Sequence, residues 1–180
     1  MKVFIIGPGG VGKSTVGSIL AKKINHDFVD LDQEFCDRIE NIGIFIRDKG
    51  YHRYCHQNSE LFYSILDKIS GDFVFTLSSG FLVHEGLSDL TQKHLKTLRN
   101  KGISIFLLPS DSLEEGREIV IAHQLLRGFG LHKEREIEKY TSRFHIYKNL
   151  GDIKIFSHQK PEKIAKQMKQ QLLIFQKNGF

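Results

Sequence analysis

Short apolar runs and one amphipathic stripe alternate at the start of the chain. Residues 3–6 form an apolar, largely β-branched run that ends at glycines, which is typical of a strand buried on both faces of a parallel sheet. From Lys13 onward the apolar residues recur at helical spacing. The positions of that stripe are Val16, Ile19, Leu20 and Ile24. A strand, a glycine-rich loop and a helix are therefore predicted in this order.

The same alternation continues to the end of the chain. Further strands are predicted at 28–32, where the strand ends in two carboxylates, and at 73–77, 103–108 and 153–156. Helices are predicted around 56–69, 88–100, 111–126, 133–149 and 160–176. Strands joined by helices form right-handed parallel crossovers, and ligands collect outside the carboxyl ends of such strands. The predicted fold class is α/β, a three-layer α/β/α sandwich around a short parallel sheet.

Composition excludes several classes of protein. The 180 residues have the size of one domain, and no repeat or low-complexity linker divides them, so we expect a single domain over residues 1–180. The formal net charge of +5 is spread along the chain, which favours solvated helix faces over a nucleic-acid patch. The first apolar run is too short for a signal peptide or a membrane span, and the two cysteines suit neither a disulfide framework nor a metal site. We expect a cytoplasmic monomer with free thiols and no membrane or nucleic-acid partner.

Residues 7–14 carry the strongest motif of the chain. They fit the pattern G-x-x-x-x-G-K-[ST] and lie between the first predicted strand and the first predicted helix. In such a loop the backbone N–H groups turn inward around a phosphate, and the helix N-terminus adds partial positive charge. Lys13 would reach the outer phosphates and Ser14 would ligate Mg²⁺, so the motif predicts ATP·Mg²⁺ binding. The predicted nucleotide-binding residues are Gly7, Gly9, Gly10, Val11, Gly12, Lys13, Ser14 and Thr15.

The loop alone does not specify a reaction, because GTPases, ATPases and kinases share it. The sequence has no guanine-specificity motif of the N-K-x-D type, and the chain is too short for the extra domains of a motor protein. A compact kinase with a small-molecule substrate is the remaining interpretation.

Two further motifs resemble those of a known family. Asp30-Leu31-Asp32 follows the phosphate loop by about twenty residues, and residues 143–147 fit the pattern R-x-x-x-Y before the last strand. With the loop, these motifs resemble the shikimate kinase family, within the nucleoside-monophosphate-kinase-like group, over nearly the whole chain. The resemblance implies a P-loop kinase fold that phosphorylates the 3-hydroxyl of shikimate. It also implies an acceptor-binding helical segment at about 34–69 and a mobile lid at about 123–132.

The resemblance implies roles for three residues of these motifs. Asp30 would help to order the water shell of magnesium, and Asp32 would hydrogen-bond the acceptor hydroxyls and take the proton during transfer. Alternation along a strand end would direct both carboxylates to the same side of the sheet. The alternative for Asp32 is a cap of the helix that begins near Gln33. Arg143 would clamp an anionic group of the acceptor, and the alternative is an exposed helix charge.

The predicted lid has no single arginine at the expected place. The R-P-L-L motif of the family aligns with residues 123–126, which puts His123 in place of the arginine. Arg127 could instead supply positive charge to the transferring phosphoryl group, and we assign it a catalytic role. Arg117, on the helix before the lid, would lie near the nucleotide or else be a solvated helix arginine.

The acceptor side departs from the family at two places. Tyr51 replaces a glutamate and Cys55 stands where the family has its substrate arginine, so Arg53 is the nearest substitute, although two residues turn a helix by about 200°. Residues 77–80, Leu-Ser-Ser-Gly, replace T-G-G-G, and their serine hydroxyls could donate to an acceptor. The predicted substrate-binding residues are Asp32, Arg53, Ser79, Gly80 and Arg143. The alternatives are a related kinase for a nucleoside monophosphate, a sugar acid or an antibiotic, and a regulatory nucleotide-binding module without transfer.

Overall fold

The structure is a computed structural model that describes residues 1–126 and 132–177. In this part of the chain, each strand is followed by one or more helices. Their bounds in chain order are β1 Lys2–Ile6, α1 Lys13–Ile24, β2 Asp27–Asp30, α2 Leu31–Arg38, α3 Ile42–Lys49, α4 Tyr51–Lys68, β3 Phe73–Thr76, α5 Ser88–Lys101, β4 Ile103–Leu108, α6 Leu113–Leu125, α7 Lys133–Lys148, β5 Ile153–Phe156 and α8 Pro161–Lys177.

The strands form one parallel sheet in the order β2-β3-β1-β4-β5. The central strand β1 is buried on both faces because its residues alternate between two cores. Val3 packs in the core under α1 and α8, whereas Phe4 packs in the core under α4 to α7. Since helices cover both faces, the predicted α/β/α sandwich is confirmed.

The larger core is rich in aromatic rings. Phe62 of α4 lies 5.4 Å from Phe75 and 4.9 Å from Phe81, measured between ring centroids. Phe81 also stacks on the ring of His94 at 3.8 Å. Each fully buried aromatic ring stabilises the fold by about 1.5–3 kcal/mol through apolar burial alone. These rings fix α4 and α5 against the sheet, and α4 carries several residues of the site.

The segment at 34–69 contains more helix than the sequence pattern predicts. The helix expected around 56–69 begins at Tyr51, and α3 precedes it. Asn41 starts α3, because its side-chain oxygen accepts hydrogen bonds from the backbone of Gly43 and Ile44. Gly50 then separates the two helices with a φ of 85°, which residues with a side chain rarely adopt.

Within residues 1–126 and 132–177, no helix has the length and apolar character that crossing a bilayer requires.

Candidate active site

The loop between β1 and α1 has the geometry of a phosphate cradle. Gly10 and Gly12 adopt φ angles of 77° and 89°, a region that favours glycine. Gly12 is also the residue before the first turn of α1, so the free amides of that turn face the loop. The loop and the helix N-terminus together form a site for an anionic group.

Lys13 lies over this loop rather than in solvent. Its side chain is buried, and Nζ donates to the carbonyl oxygens of Gly7 and Pro8 at 3.0 and 2.9 Å. Ser14 and Thr15 follow on the exposed first turn of α1. A nucleoside triphosphate with magnesium requires hydrogen-bond donors for its phosphates and an oxygen ligand for the metal. This helix N-terminus offers an ammonium group and backbone amides as donors, and a serine hydroxyl as the ligand.

The end of α6 covers part of the phosphate loop. A ring nitrogen of His123 lies 3.2 Å from the carbonyl oxygen of Gly10, and the side chain of Gln124 packs against Gly9. Gln124 also donates to the buried carboxylate of Glu136 on α7 at 2.9 Å. The beginning of the predicted lid therefore contacts the loop.

Part of the predicted lid lies outside the part of the chain that the structure describes. Arg127, predicted to be catalytic, and residues 128–131 of the predicted lid lie outside the described residues. Arg117 lies within α6 and is half-buried. Its proximity to a nucleotide stays a prediction.

Asp30 and Asp32 do not extend along one strand as predicted. Asp30 is the last residue of β2, and α2 begins at Leu31, two residues earlier than expected. Asp30 caps this helix, because its Oδ1 accepts from the backbone N–H groups of Asp32 and Gln33 at 3.0 and 3.2 Å. The prediction of strand alternation was wrong, because the cap belongs to Asp30 and Asp32 projects from the first helical turn.

The side chain of Asp32 points to the turn that follows β3. Its Oδ1 accepts a hydrogen bond from the hydroxyl of Ser78 at 2.5 Å. The next residues of the same turn contact α7 and α4. Tyr147 donates to the carbonyl oxygen of Ser79 at 2.6 Å, and a side chain on Gly80 would begin 2.6 Å from the hydroxyl oxygen of Tyr51.

Arg143 lies beside Gly80 and between two phenols. A Cβ at Gly80 would be 3.8 Å from Arg143 Nη1, and the guanidinium hydrogen-bonds with Tyr51 and Tyr147. We define the Asp32–Arg143 cluster as Asp32, Tyr51, the turn at 78–80 and Arg143. The turn connects its carboxylate to its guanidinium.

The charge of Arg143 is not neutralised within this cluster. Burial raises the pKa of Tyr51, and burial raises that of Tyr147 to about 12 against the opposing effect of Arg143, so both phenols are neutral at neutral pH. Burial also opposes the charge of Arg143, but the phenols outweigh it and raise the pKa of the guanidinium. No carboxylate in the described residues forms an ion pair with it. Arg143 lines a cleft beside Pro8 and Gly9 of the phosphate loop, where it can bind an anion.

Arg53 does not join this cluster. It is exposed on α4, whereas Cys55 is fully buried and lies 3.2 Å from Nδ1 of His84. The thiol also hydrogen-bonds with Tyr51, and burial raises its pKa. The helical rotation between the two positions explains why Arg53 faces solvent while Cys55 faces the cluster.

Asn58, which the sequence pattern did not single out, supports the cluster from α4. Its amide donates to Ser78 at 2.9 Å and it is fully buried. The available signal was its spacing: Asn58 lies on the same helical stripe as Tyr54, Leu61 and Phe62. A polar residue in a buried stripe requires a hydrogen-bond partner.

Comparison with known proteins shows the family of this chain. Residues 9–173 match the family model described as shikimate kinase. The shikimate kinase of Clostridium botulinum (strain Eklund 17B / Type B) is 29% identical over 148 residues, which cover 82% of this chain and 82% of that protein. The pentafunctional AROM polypeptide of Schizosaccharomyces japonicus is 30% identical over 95 residues, or 52% of this chain, and the match spans only 6% of that protein.

Solved structures agree in fold. The shikimate kinase from Aquifex aeolicus vf5 has a TM-score of 0.70 and 22% identity, with 99% of this chain and 100% of that chain covered. The shikimate kinase from Acinetobacter baumannii in complex with shikimate has a TM-score of 0.72 and 18% identity, with 96% and 92% covered. At these identities the likeness establishes the fold alone.

Proposed function

The chain belongs to the shikimate kinase family, and from this we propose that it transfers the γ-phosphate of ATP to the 3-hydroxyl of shikimate. The predicted family and the predicted class, an ATP-dependent small-molecule kinase, are confirmed by the family match and by relatives such as the Clostridium botulinum enzyme. The roles of single residues, the use of Mg²⁺ and the identity of the acceptor are parts of the proposal.

One observation carries the choice of acceptor. The turn at 78–80 contacts Asp32 through Ser78 and lies beside Arg143 at Gly80. A carboxylate suits acceptor hydroxyls, and a half-buried guanidinium with no ion pair among the described residues suits an acceptor carboxylate. Shikimate is a carboxylated polyol, so it offers both groups.

The phosphate loop would hold the donor. Lys13 and the loop amides would bind the β- and γ-phosphates, and Ser14 would ligate magnesium. Magnesium, when bound, neutralises charge on the phosphate oxygens. Asp30 has one carboxylate oxygen engaged in its helix cap, so its proposed contribution to the water shell falls to Oδ2.

The transfer is an in-line displacement at the γ-phosphorus. The acceptor oxygen forms the new bond to phosphorus while the bond to the bridging oxygen breaks, and ADP leaves. Asp32 accepts the hydrogen bond of the attacking hydroxyl and takes its proton, which then passes to solvent. Positive charge from Arg127, and from Arg117 near the nucleotide, would stabilise the transferring group.

A second candidate is a related kinase with another acceptor. Its support is Cys55, which stands where the family has a substrate arginine, and the Tyr51 hydroxyl, which lies directly against Gly80. The acceptor side therefore offers one guanidinium where the resemblance implies two. A sugar acid with one carboxylate would satisfy Arg143 equally well.

A coupled assay of ADP release tests the proposal. Shikimate, nucleoside monophosphates and sugar acids are each supplied with ATP·Mg²⁺, and Lys13→Ala gives the background rate. We expect shikimate-dependent ADP release with the highest kcat/KM of the panel. Turnover with a sugar acid and none with shikimate would replace the acceptor and keep the kinase.

A further inference from the structure

Two side chains, Asn58 and Ser78, connect the buried face of α4 to the carboxylate of Asp32. Asn58 is completely buried, and its Nδ2 donates to the hydroxyl oxygen of Ser78 at 2.9 Å. Ser78 is 7% exposed and donates to Oδ1 of Asp32 at 2.5 Å. This chain of hydrogen bonds therefore runs from the core to the site through side chains alone.

The direction of these hydrogen bonds follows from their chemistry. A serine hydroxyl has one proton, and an ionised carboxylate can only accept, so the proton of Ser78 points to Asp32. The oxygen of Ser78 accepts from Asn58 in return. Ser78 therefore has no proton to donate to an acceptor molecule, contrary to the expectation that serines of this turn could do so. Its hydroxyl acts on Asp32 instead.

Asp32 is thereby held at two points. Its backbone N–H donates to the capping carboxylate of Asp30 at 3.0 Å, and its Oδ1 is held by Ser78. Its Oδ2 makes no hydrogen bond with the described residues and is available for an acceptor hydroxyl. A carboxylate with one oxygen fixed and one oxygen available presents a single orientation to the substrate.

We propose that Ser78 is a positioning residue for Asp32 and that Asn58 holds Ser78 in the orientation this requires. The inference rests on the proposed function, in which Asp32 orients the attacking hydroxyl. A displacement of a reacting group by about 1 Å can reduce a rate by about 100-fold. The hydrogen bond from Ser78 therefore acts on the chemical step and not on ATP binding.

Steady-state kinetics with ATP and shikimate test this role. Ser78→Ala should lower kcat by about 10- to 100-fold with the KM for ATP unchanged. Ser78→Thr keeps a hydroxyl donor and should restore most of the rate. Asn58→Leu removes the supporting donor at similar volume and should give a smaller loss. An unchanged kcat in Ser78→Ala would overturn the inference.

Ser59 offers a matched control on the same helix. It is buried, and its hydroxyl lies 2.8 Å from Nε2 of His94, outside the chain that reaches Asp32. Ser59→Ala should lower the melting temperature and leave kcat unchanged. If both alanine variants lowered kcat equally, the effect of Ser78 would be general destabilisation and the inference would fail.

A double-mutant experiment separates the role of Ser78 from the proposed function. In an Asp32→Asn background, Ser78→Ala should cause little further loss of kcat, because Ser78 acts through that carboxylate. Equal losses in both backgrounds would overturn the positioning role. Full activity of Asp32→Asn alone would instead overturn the role of Asp32 in the proposed function.

Thermal denaturation tests the contact even if shikimate is not the acceptor. Residues in one hydrogen-bond network show non-additive effects on stability. The melting-temperature losses of Ser78→Ala and Asp32→Asn should therefore sum to more than the loss of the double variant. Additive losses would show that the two side chains do not interact and would overturn the inference.

Discussion

The phosphate loop and the Asp32–Arg143 cluster lie at the same carboxyl edge of the sheet but are built differently. The loop is one continuous stretch between β1 and α1, and its donors are mostly backbone amides. The cluster draws side chains from α2, α4, α7 and the turn after β3. A backbone site tolerates sequence change outside its glycines, Lys13 and Ser14. A side-chain site changes its chemistry with each substitution.

The two regions also differ in how their charge is supported. Lys13 is bound by carbonyl oxygens of its own loop, at Gly7 and Pro8. Arg143 is supported by the phenols of Tyr51 and Tyr147, which come from different helices. The charge of Lys13 is therefore supported within its own loop, whereas that of Arg143 also depends on Tyr51 from another helix.

The largest effect that we predict is on the donor side. Lys13→Ala should lower kcat with shikimate by about 1000-fold, because it removes a charge that matters most in the transition state. Steady-state ADP release gives the rate, and Lys13→Arg is a control that keeps the charge but not the compact ammonium. Near-normal turnover of Lys13→Ala would show that the loop does not act on the transferred phosphate.

The acceptor side should be more sensitive to acid. Burial, followed by the charges of His94 and Arg143, lowers the pKa of His84 from 6.5 to about 4, and burial likewise lowers that of His94 to about 4. Both histidines are neutral in the folded protein, whereas the unfolded chain binds a proton at each of them below pH 6.5. The stability that these buried neutral rings allow is therefore fully present above pH 6.5 and is lost as the pH falls from 6.5 to 4. Each such shift corresponds to about 3 kcal/mol at most.

Denaturant unfolding between pH 7 and pH 4 measures this loss. His84→Gln should flatten the decline, because one ring that must stay neutral is removed. A free energy of unfolding that is constant over this interval would contradict the burial of both histidines.

The smallest effect that we predict is at Tyr51. Tyr51→Phe removes the hydroxyl that hydrogen-bonds with Arg143 and Cys55, a loss of about 0.5–1.5 kcal/mol. The KM for shikimate should rise by about 2- to 12-fold with the KM for ATP unchanged. A change in the KM for ATP alone would show that Tyr51 acts on ATP binding and would contradict its place on the acceptor side.

The sequence predicted the strand, loop and helix of the phosphate loop well because the information for them is local. The spacing of residues 7–14, the strand before them and the stripe that begins at Lys13 specify the loop without knowledge of distant residues. The layers of the sandwich followed from the alternation of buried runs and amphipathic stretches. These features depend on periodicity, which the sequence displays directly.

The acceptor side was harder to predict because it depends on contacts between distant residues. The link from Asn58 to Ser78 spans twenty positions and that from Ser78 to Asp32 spans forty-six. The sequence pattern predicted the start of α2 two residues too late, near Gln33. This difference decides which aspartate caps the helix, and in the structure it is Asp30 and not Asp32. Helix ends are defined by such single hydrogen bonds, which the apolar pattern does not encode.

The central claim is that Arg143 binds the carboxylate of the acceptor across the turn from Asp32. Its most direct test compares kcat/KM for shikimate and for its methyl ester, which lacks the charge, in the wild-type protein and in Arg143→Gln. The wild-type protein should prefer shikimate by about 10- to 150-fold, as expected for hydrogen bonds to a charged group worth about 1.5–3 kcal/mol, and the variant should lose this preference. An equal preference in both proteins would show that another group binds the carboxylate and would contradict the account.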